Sequence, residues 1–232
     1  MRVGDGRRGA TAAIARRARL GPGALRPDGQ CSLRRIARDR AATGAQRVAD
    51  VDGLELSAGD IATEDGRIAL DAHLRSTSNP AAYVCGDAVA ATQQLSPIAT
   101  YEGRIVGRNI VEGPKHTPDY TSIPSCVFTV PGLASVGLTQ AAAEEKGLEL
   151  RVEVNDMREW LSGRTYAETA AWAKVLVHRQ TDRIVGAHIV GHAAEELIHI
   201  FALAMKHGIT AGDTRDLVYG FPTFAADIKS LV

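Results

Sequence analysis

The sequence predicts an α+β fold, with helices and an antiparallel sheet in its C-terminal half and an incomplete α/β segment before them. Three observations support this class. Two strand-like apolar runs, 171–178 and 183–190, are joined by a short hairpin turn. Residues 193–207 have the strong amphipathic pattern of a helix. The apolar run 82–85 is short and stops at a glycine, which is typical of a buried parallel strand.

The N-terminal stretch differs in composition from the rest of the chain. Residues 1–47 carry 12 arginines, no lysine and 3 acidic residues, although the whole chain has a formal net charge of zero. Such a start is compatible with nucleic-acid binding or with a mitochondrial transit peptide. It contains no aromatic residue that could stack on a base and few hydroxyl residues. We therefore interpret residues 1–45 as a poorly packed remnant of an upstream domain, and we do not expect a nucleic-acid partner.

Residues 4–9 read Gly-Asp-Gly-Arg-Arg-Gly, which has the glycine spacing of a dinucleotide-binding turn. That motif needs a strand that ends at its first glycine, so that the following helix can face a pyrophosphate. Only three residues precede it here, and no second strand with an acidic end follows. The spacing alone does not predict a working dinucleotide site.

The cysteines and histidines do not have the spacing of metal ligands. Cys31, Cys85 and Cys126 are far apart, which excludes a zinc ribbon or a local C-x-x-C disulfide. Their odd number and the lack of an apolar export signal favour a reducing cytoplasm. No run approaches the roughly 18 apolar residues of a membrane span. Three histidines fall on a predicted strand, loop and helix, without shared ligand spacing: His188, His192 and His199.

The middle of the chain, residues 46–113, has the turn and strand signals of a partial domain. Residues 64–67, Glu-Asp-Gly-Arg, predict a hairpin turn before a short strand at 68–70. The predicted parallel strand at 82–85 leads into Gly86-Asp87, and we expect Asp87 at its carboxyl end, beside an open groove and not buried.

A helix is predicted to follow. Ser96 as N-cap and Pro97 as first helical residue favour a helix that continues to about residue 111. Residues 112–115, Glu-Gly-Pro-Lys, then read as a linker between domains.

Turn and cap signals divide residues 120–232 into many short elements. The predicted strands are 126–130, 134–138, 148–154, 171–178 and 183–190, and the predicted helices are 139–146, 193–207, 214–218 and one from Thr223. The apolar face of the long helix consists of Leu197, Ile200, Phe201, Ala204 and Met205.

Two blocks of sequence resemble one known family. The first block resembles a core signature of the pyridine nucleotide-disulfide oxidoreductases: Tyr83-Val84-Cys85-Gly86-Asp87-Ala88, Leu95-Ser96-Pro97-Ile98-Ala99 and Glu102-Gly103-Arg104. The second block resembles the C-terminal dimerisation domain of the glutathione-reductase-like members: Phe128-Thr129-Val130-Pro131, Ser135-Val136-Gly137-Leu138-Thr139 and Ile184-Val185-Gly186-Ala187-His188. The resemblance covers about residues 42–232, so that 46–113 is similar to part of an FAD-binding domain and 120–232 to a dimerisation domain.

The resemblance implies a flavin enzyme that acts as a homodimer in redox homeostasis. It implies that Asp87 holds the ribitol of FAD, that Gly86 allows close approach, and that Ile98 and Ala99 offer backbone contacts. In this family, the N-terminus of the helix that begins near Pro97 faces the N1/O2 edge of the flavin. Gly44 is similar to a position near FAD. In the complete relatives NAD(P)H donates a hydride to FAD, and the electrons pass to a small-molecule acceptor.

The sequence also departs from the family pattern. The redox-active cysteine pair is absent, and complete FAD and NAD(P) units do not fit into about forty residues before position 46. The acid/base histidine of the C-terminal motif is replaced by Phe221 and its orienting glutamate by Ala226. A phenyl ring has no titratable proton. We therefore expect a truncated FAD-dependent NAD(P)H oxidoreductase subunit that is not active as this fragment; the alternative is a non-catalytic homodimerisation module.

Overall fold

Seven strands and five α-helices lie in one compact unit, Ala49–Val232. The computed structural model describes residues 49–90 and 93–232. The strands are β1 Thr63–Glu64, β2 Arg67–Ile68, β3 Ser125–Val127, β4 Gly132–Gly137, β5 Leu150–Asp156, β6 Trp172–His178 and β7 Ile184–Gly191. The helices are α1 Ser96–Glu112, α2 Gln140–Glu145, α3 Leu161–Thr165, α4 Ala194–His207 and α5 Ala211–Asp216. The predicted packing of residues 1–45, the glycine motif at 4–9, Cys31 and Gly44 lie outside the described residues.

The predicted α+β class is confirmed by a five-stranded antiparallel sheet in the order β3-β4-β7-β6-β5. Strands β6 and β7 form the predicted hairpin, and β7 lies at the centre between β4 and β6. Val175, Val177, Ala187 and Ile189 of these two strands are buried. Short turns join β3 to β4 and β6 to β7, so these two pairings are local. The pairing of β4 with β7 is long-range, and a longer connection that contains α3 joins β5 to β6.

Helix α4 packs on β4 and β7 and forms the core with them. Its buried face includes Leu197, Ile198 and Phe201, while the predicted inward residues Ile200 and Met205 are only partly buried. Ile228 and Leu231 of the C-terminal segment complete the same core. The apolar period of the sequence thus identified the correct helix and placed most of its core face.

Side-chain caps fix the starts of α2, α5 and the last 3₁₀ helix. The Thr139 hydroxyl accepts from the Ala142 N–H at 3.2 Å, as the sequence predicts for the start of α2. Helix α5 begins three residues earlier than the predicted 214–218, because Thr210 and Asp213 form a reciprocal capping box. Thr223 caps a 3₁₀ helix, Phe224–Ser230. Helix α3 was not predicted from the sequence.

The predicted parallel strand at 82–85 is wrong. Tyr83 forms a single antiparallel bridge with Arg75, and the Val84 N–H donates to the Leu74 carbonyl at 2.9 Å. A parallel strand needs a parallel neighbour, and within 49–90 and 93–232 this run pairs only with the antiparallel segment before it. The hairpin of β1 and β2 is present as predicted.

Helix α1 begins one residue earlier than its cap signal indicated. Leu95, in extended conformation, occupies the N-cap, and Ser96 is the first helical residue. The helix ends at Glu112, and Gly113 follows with a φ of 84°. The linker is then fixed by Asn109, which is buried and accepts from the N–H groups of Lys115 and His116.

An ion pair joins the segment after α1 to helix α4. Lys206 Nζ lies 2.7 Å from Asp119 Oδ2, and the Asp119 N–H donates to the Tyr101 hydroxyl at 2.9 Å. The Lys206 ammonium, followed by hydrogen bonds from Thr121, holds the pKa of the Asp119 carboxyl well below its usual range. Because about half of each side chain is exposed, solvent screens the pair and limits its contribution to stability.

We expect Asp119→Asn to lower the free energy of unfolding by about 0.5 kcal/mol at pH 7. The asparagine oxygen can still accept from Thr121, so the substitution isolates the ionic contact with Lys206. The folded pKa is depressed, so the stabilisation is complete above the unfolded pKa near 4, declines as the pH falls below it, and is fully lost only below the folded pKa. Urea unfolding of the wild type and of Asp119→Asn at pH 7 and pH 3 measures this difference in the free energy of unfolding.

The matched control is Glu145→Gln, which removes an exposed carboxylate that has no ion-pair partner among the residues described. A difference between wild type and Asp119→Asn that is as large at pH 3 as at pH 7 contradicts the ionic assignment.

Candidate functional site

Gly86 and Asp87 begin a short 3₁₀ helix, Gly86–Ala88, that follows extended Cys85. Gly86 has a φ of +74°, a region that strongly favours glycine. A Cβ atom at this position would lie 3.2 Å from the Cβ of Ala99 in helix α1. Backbone conformation and the close approach to the first turn of α1 therefore both favour glycine at this position.

The N-terminus of helix α1 lies beside this loop. Leu95 provides no side-chain hydrogen bond to the first turn, and Pro97 has no N–H group. The Ala99 N–H donates to the Leu95 carbonyl at 3.1 Å, and the Ile98 side chain is buried. An uncapped first turn carries partial positive charge, which favours a negatively charged or polar ligand.

Asp87 is exposed, in a turn that follows an isolated bridge and not a strand. The Gln94 amide donates to the Asp87 carbonyl at 3.2 Å, which ties the loop to the residues before α1. The Asp87 side chain thus belongs to a short turn whose backbone is hydrogen-bonded to Gln94, just before α1. The structure brings together four of the five residues that the sequence singled out: Gly86, Asp87, Ile98 and Ala99.

A buried carboxyl group, that of Glu102, forms a hydrogen bond with the Gly86–Ala88 turn. Glu102 is fully buried, and its Oε2 atom accepts from the Gly86 N–H at 2.6 Å. Its Oε1 atom accepts from the Tyr120 hydroxyl at 2.8 Å. Burial, and then the hydrogen bond to Glu102, raise the pKa of Tyr120.

The sequence analysis assigns no role to Glu102, although this residue lies within the block that resembles the core signature of the family. The signal that could have identified Glu102 is its position on one face of the helix. Ile98, Glu102, Ile105 and Asn109 follow at spacings of four, three and four residues, so they share one helix face, and all four are buried. A glutamate within an apolar helix face needs hydrogen-bond donors around it.

Two open cavities lie on either side of Tyr120. One, of about 760 Å³, is lined by Leu70, Val89 and Ala90. The other, of about 770 Å³, is lined by Ile98, Leu138 and others. Tyr120 contributes to both walls. Val89 and Ala90 of the first cavity directly follow the Gly86–Ala88 turn, but Asp87 lines neither of these two cavities, so the predicted groove beside it stays a prediction.

The C-terminal motif lies at one end of the sheet. Phe221, which the resemblance implies at the position of the family's histidine, is exposed, and Ala226 is buried. The imidazole of His192 stacks on Tyr166 at 4.4 Å between ring centroids and lies 4.7 Å from the Phe224 ring. Its Nδ1 atom is 3.6 Å from Glu168 Oε1.

The other histidines have separate surroundings. His188 Nε2 lies 3.1 Å from the Leu138 carbonyl oxygen, and burial lowers the pKa of its imidazole. No group of three or more potential metal-ligating side chains lies together in the part of the chain that the structure describes. No helix within 49–90 or 93–232 is both long enough and apolar enough to cross a membrane.

Comparison with known proteins identifies a family domain in the C-terminal half of the chain. The dimerisation domain of the pyridine nucleotide-disulphide oxidoreductases matches residues 123–232. An uncharacterized 19.7 kDa protein in a mercuric resistance operon of Staphylococcus aureus is 34% identical over 77% of this chain and 100% of its own length. Mycothione reductase of Mycobacterium tuberculosis is 33% identical over 82% of this chain and 41% of that enzyme.

Solved structures show the same fold. The HOCl-induced flavoprotein disulfide reductase RclA from Escherichia coli superposes with a TM-score of 0.71 at 24% identity, over 81% of this chain and 43% of that one. The chain thus spans about two fifths of the length of this enzyme and of mycothione reductase. By sequence and by fold, the chain belongs to the pyridine nucleotide-disulphide oxidoreductase family.

Proposed function

We propose that this chain is the flavin-facing and dimer-forming part of an FAD-dependent NAD(P)H oxidoreductase of the glutathione-reductase-like kind. In this proposal residues 46–113 are part of an FAD-binding domain and residues 120–232 are the dimerisation domain. The observation that carries it is the Gly86–Ala88 turn, seated against the uncapped first turn of α1 with the Asp87 side chain exposed.

The residues present fit one half of a flavin. The Asp87 carboxylate is an acceptor suited to ribitol hydroxyls, and Gly86, which has no side chain, lets the turn lie close to Ala99 of α1. The first turn of α1, at Ile98 and Ala99, supplies the dipole end that stabilises negative charge at the N1/O2 edge. Gly44 is proposed as a further contact. When bound, FAD accepts a hydride from NAD(P)H and passes electrons to a small-molecule acceptor.

The proposal assigns no thiol–disulfide turnover to this chain alone. No C-x-x-C pair occurs in its 232 residues, and Phe221 has no proton to transfer at the position of the acid/base histidine. We infer that the chain acts in a cytoplasmic setting as part of a homodimer. A non-catalytic homodimerisation module is the second candidate.

Exposed apolar side chains favour the dimer in both candidates. Phe128 and Val130, between β3 and β4, are almost fully exposed, and so is Val218 in the C-terminal segment. They lie within the residues that match the dimerisation domain. A second copy of the chain that covers such side chains removes apolar surface from water, which stabilises association.

Titration of the purified protein with FAD tests the flavin site. We expect quenching of flavin fluorescence on binding, a rise in melting temperature, and at least about tenfold weaker binding in Asp87→Ala, because a hydrogen bond to a charged acceptor contributes about 1.5–3 kcal/mol. The control Asp216→Ala removes an exposed carboxylate of α5 and should bind FAD as wild type does.

Two results contradict the flavin site. One is a wild-type protein with neither a flavin spectrum nor an FAD-dependent melting shift up to about 1 mM FAD. The other is an Asp87→Ala variant that binds FAD with unchanged affinity.

Sedimentation at micromolar protein concentration tests the interface. We expect a dimer for wild type and a monomer for Val130→Asp, because a buried unpaired carboxylate at an interface is strongly unfavourable. Val111→Asp is the matched control, since Val111 is equally an exposed valine but lies on α1, outside the matched domain. A monomeric wild type, or equal dissociation by both variants, contradicts the assigned surface.

A further inference from the structure

Glu102 is a buried acidic side chain that the proposed function does not use. It lies in the middle of α1 and is fully buried, whereas most carboxyl groups in proteins are exposed to solvent. Both of its oxygens accept hydrogen bonds, one from a backbone N–H and one from a phenol. A group enclosed in this way is retained only where its partners are fixed with good geometry.

The two donors come from different parts of the chain. The Gly86 N–H belongs to the first residue of the turn that carries Asp87, and the bond is short at 2.6 Å. The Tyr120 hydroxyl belongs to the segment that leads into β3, and its neighbour Asp119 is paired with Lys206 of α4. One carboxyl group therefore joins the Asp87 turn to the start of the C-terminal domain.

The contact of Gly86 with Ala99 sets only how closely the turn approaches α1. It does not set the rotation of the turn, because contact between a glycine and a methyl group is not directional. A hydrogen bond from the Gly86 N–H is directional and fixes the plane of the Cys85–Gly86 peptide, which leads into the turn.

We propose that Glu102 is a positioning residue that orients the Gly86–Asp87 turn for FAD and links this orientation to Tyr120. The inference rests on the proposed function, in which Asp87 contacts the ribitol. Glu102 itself is enclosed and acts through Gly86.

Two measurements on the full chain test this. Hydrogen exchange of the peptide that contains Gly86, measured without FAD, reports the turn directly. FAD titration by flavin fluorescence reports the site. For Glu102→Ala we expect about tenfold faster exchange at Gly86 and about tenfold weaker FAD binding, the size of one lost hydrogen bond.

Glu102→Gln is the conservative rescue. Its amide oxygen can accept from Gly86 while its NH₂ group donates to the Tyr120 oxygen, which can serve as acceptor. We expect exchange at Gly86 and FAD affinity within about threefold of wild type.

Asn109→Ala is the control for a merely structural role. Asn109 is buried on the same face of the same helix but contacts the linker and not Gly86. We expect a lower melting temperature with unchanged exchange at Gly86 and unchanged FAD affinity. If Glu102→Ala does not fold, Tyr120→Phe replaces it, with faster exchange at Gly86 expected.

The outcomes separate the two proposals. Unchanged exchange at Gly86 in Glu102→Ala, or equal loss of FAD affinity in Asn109→Ala, overturns the positioning role. A wild type that does not bind FAD, together with faster exchange at Gly86 in Glu102→Ala, overturns the flavin site and supports the role of Glu102 in orienting the turn.

Discussion

The close approach of Gly86 to Ala99 is the constraint on which the candidate site depends. A turn with a φ of +74° can lie against the first turn of α1 only if no side chain stands between them. This places an exposed carboxylate at Asp87 beside a helix end that lacks a side-chain cap. An acceptor for hydroxyl groups and a positive dipole end then lie side by side, which suits the sugar alcohol and the electron-accepting edge of one flavin.

The rest of the molecule holds this arrangement in place. The central antiparallel sheet and α4 form a core that does not include the site. The segment after α1 connects the two regions through Asp119 and Tyr120, which bind Lys206 and Glu102. Asn109 of α1 holds the start of this segment, because it accepts from the Lys115 N–H. Glu102 belongs to the same connection, since it accepts hydrogen bonds from Gly86 in the Asp87 turn and from Tyr120 before β3.

The sequence predicts the elements whose causes are local. Thr139 caps α2 as expected because the cap and its partner lie three residues apart. The run 82–85 was assigned wrongly because the pairing of a strand depends on neighbours distant in sequence. Gly86 and Asp87 are identified as candidate site residues through the family resemblance, which does not define the geometry of their turn. Glu102 was missed because its partners, Gly86 and Tyr120, are 16 and 18 residues away, and no single-helix pattern reveals them.

The most direct test of the central claim compares two glycine substitutions by FAD titration. Gly86→Ala and Gly66→Ala both place a side chain at a positive φ, +74° and +73°, but only Gly86 would contact another residue, Ala99. Both variants should lose about 1 kcal/mol of stability from the backbone conformation. We predict that FAD affinity falls at least about tenfold in Gly86→Ala and is unchanged in Gly66→Ala. Equal FAD affinity in Gly86→Ala and wild type would contradict the assignment of this turn to the flavin.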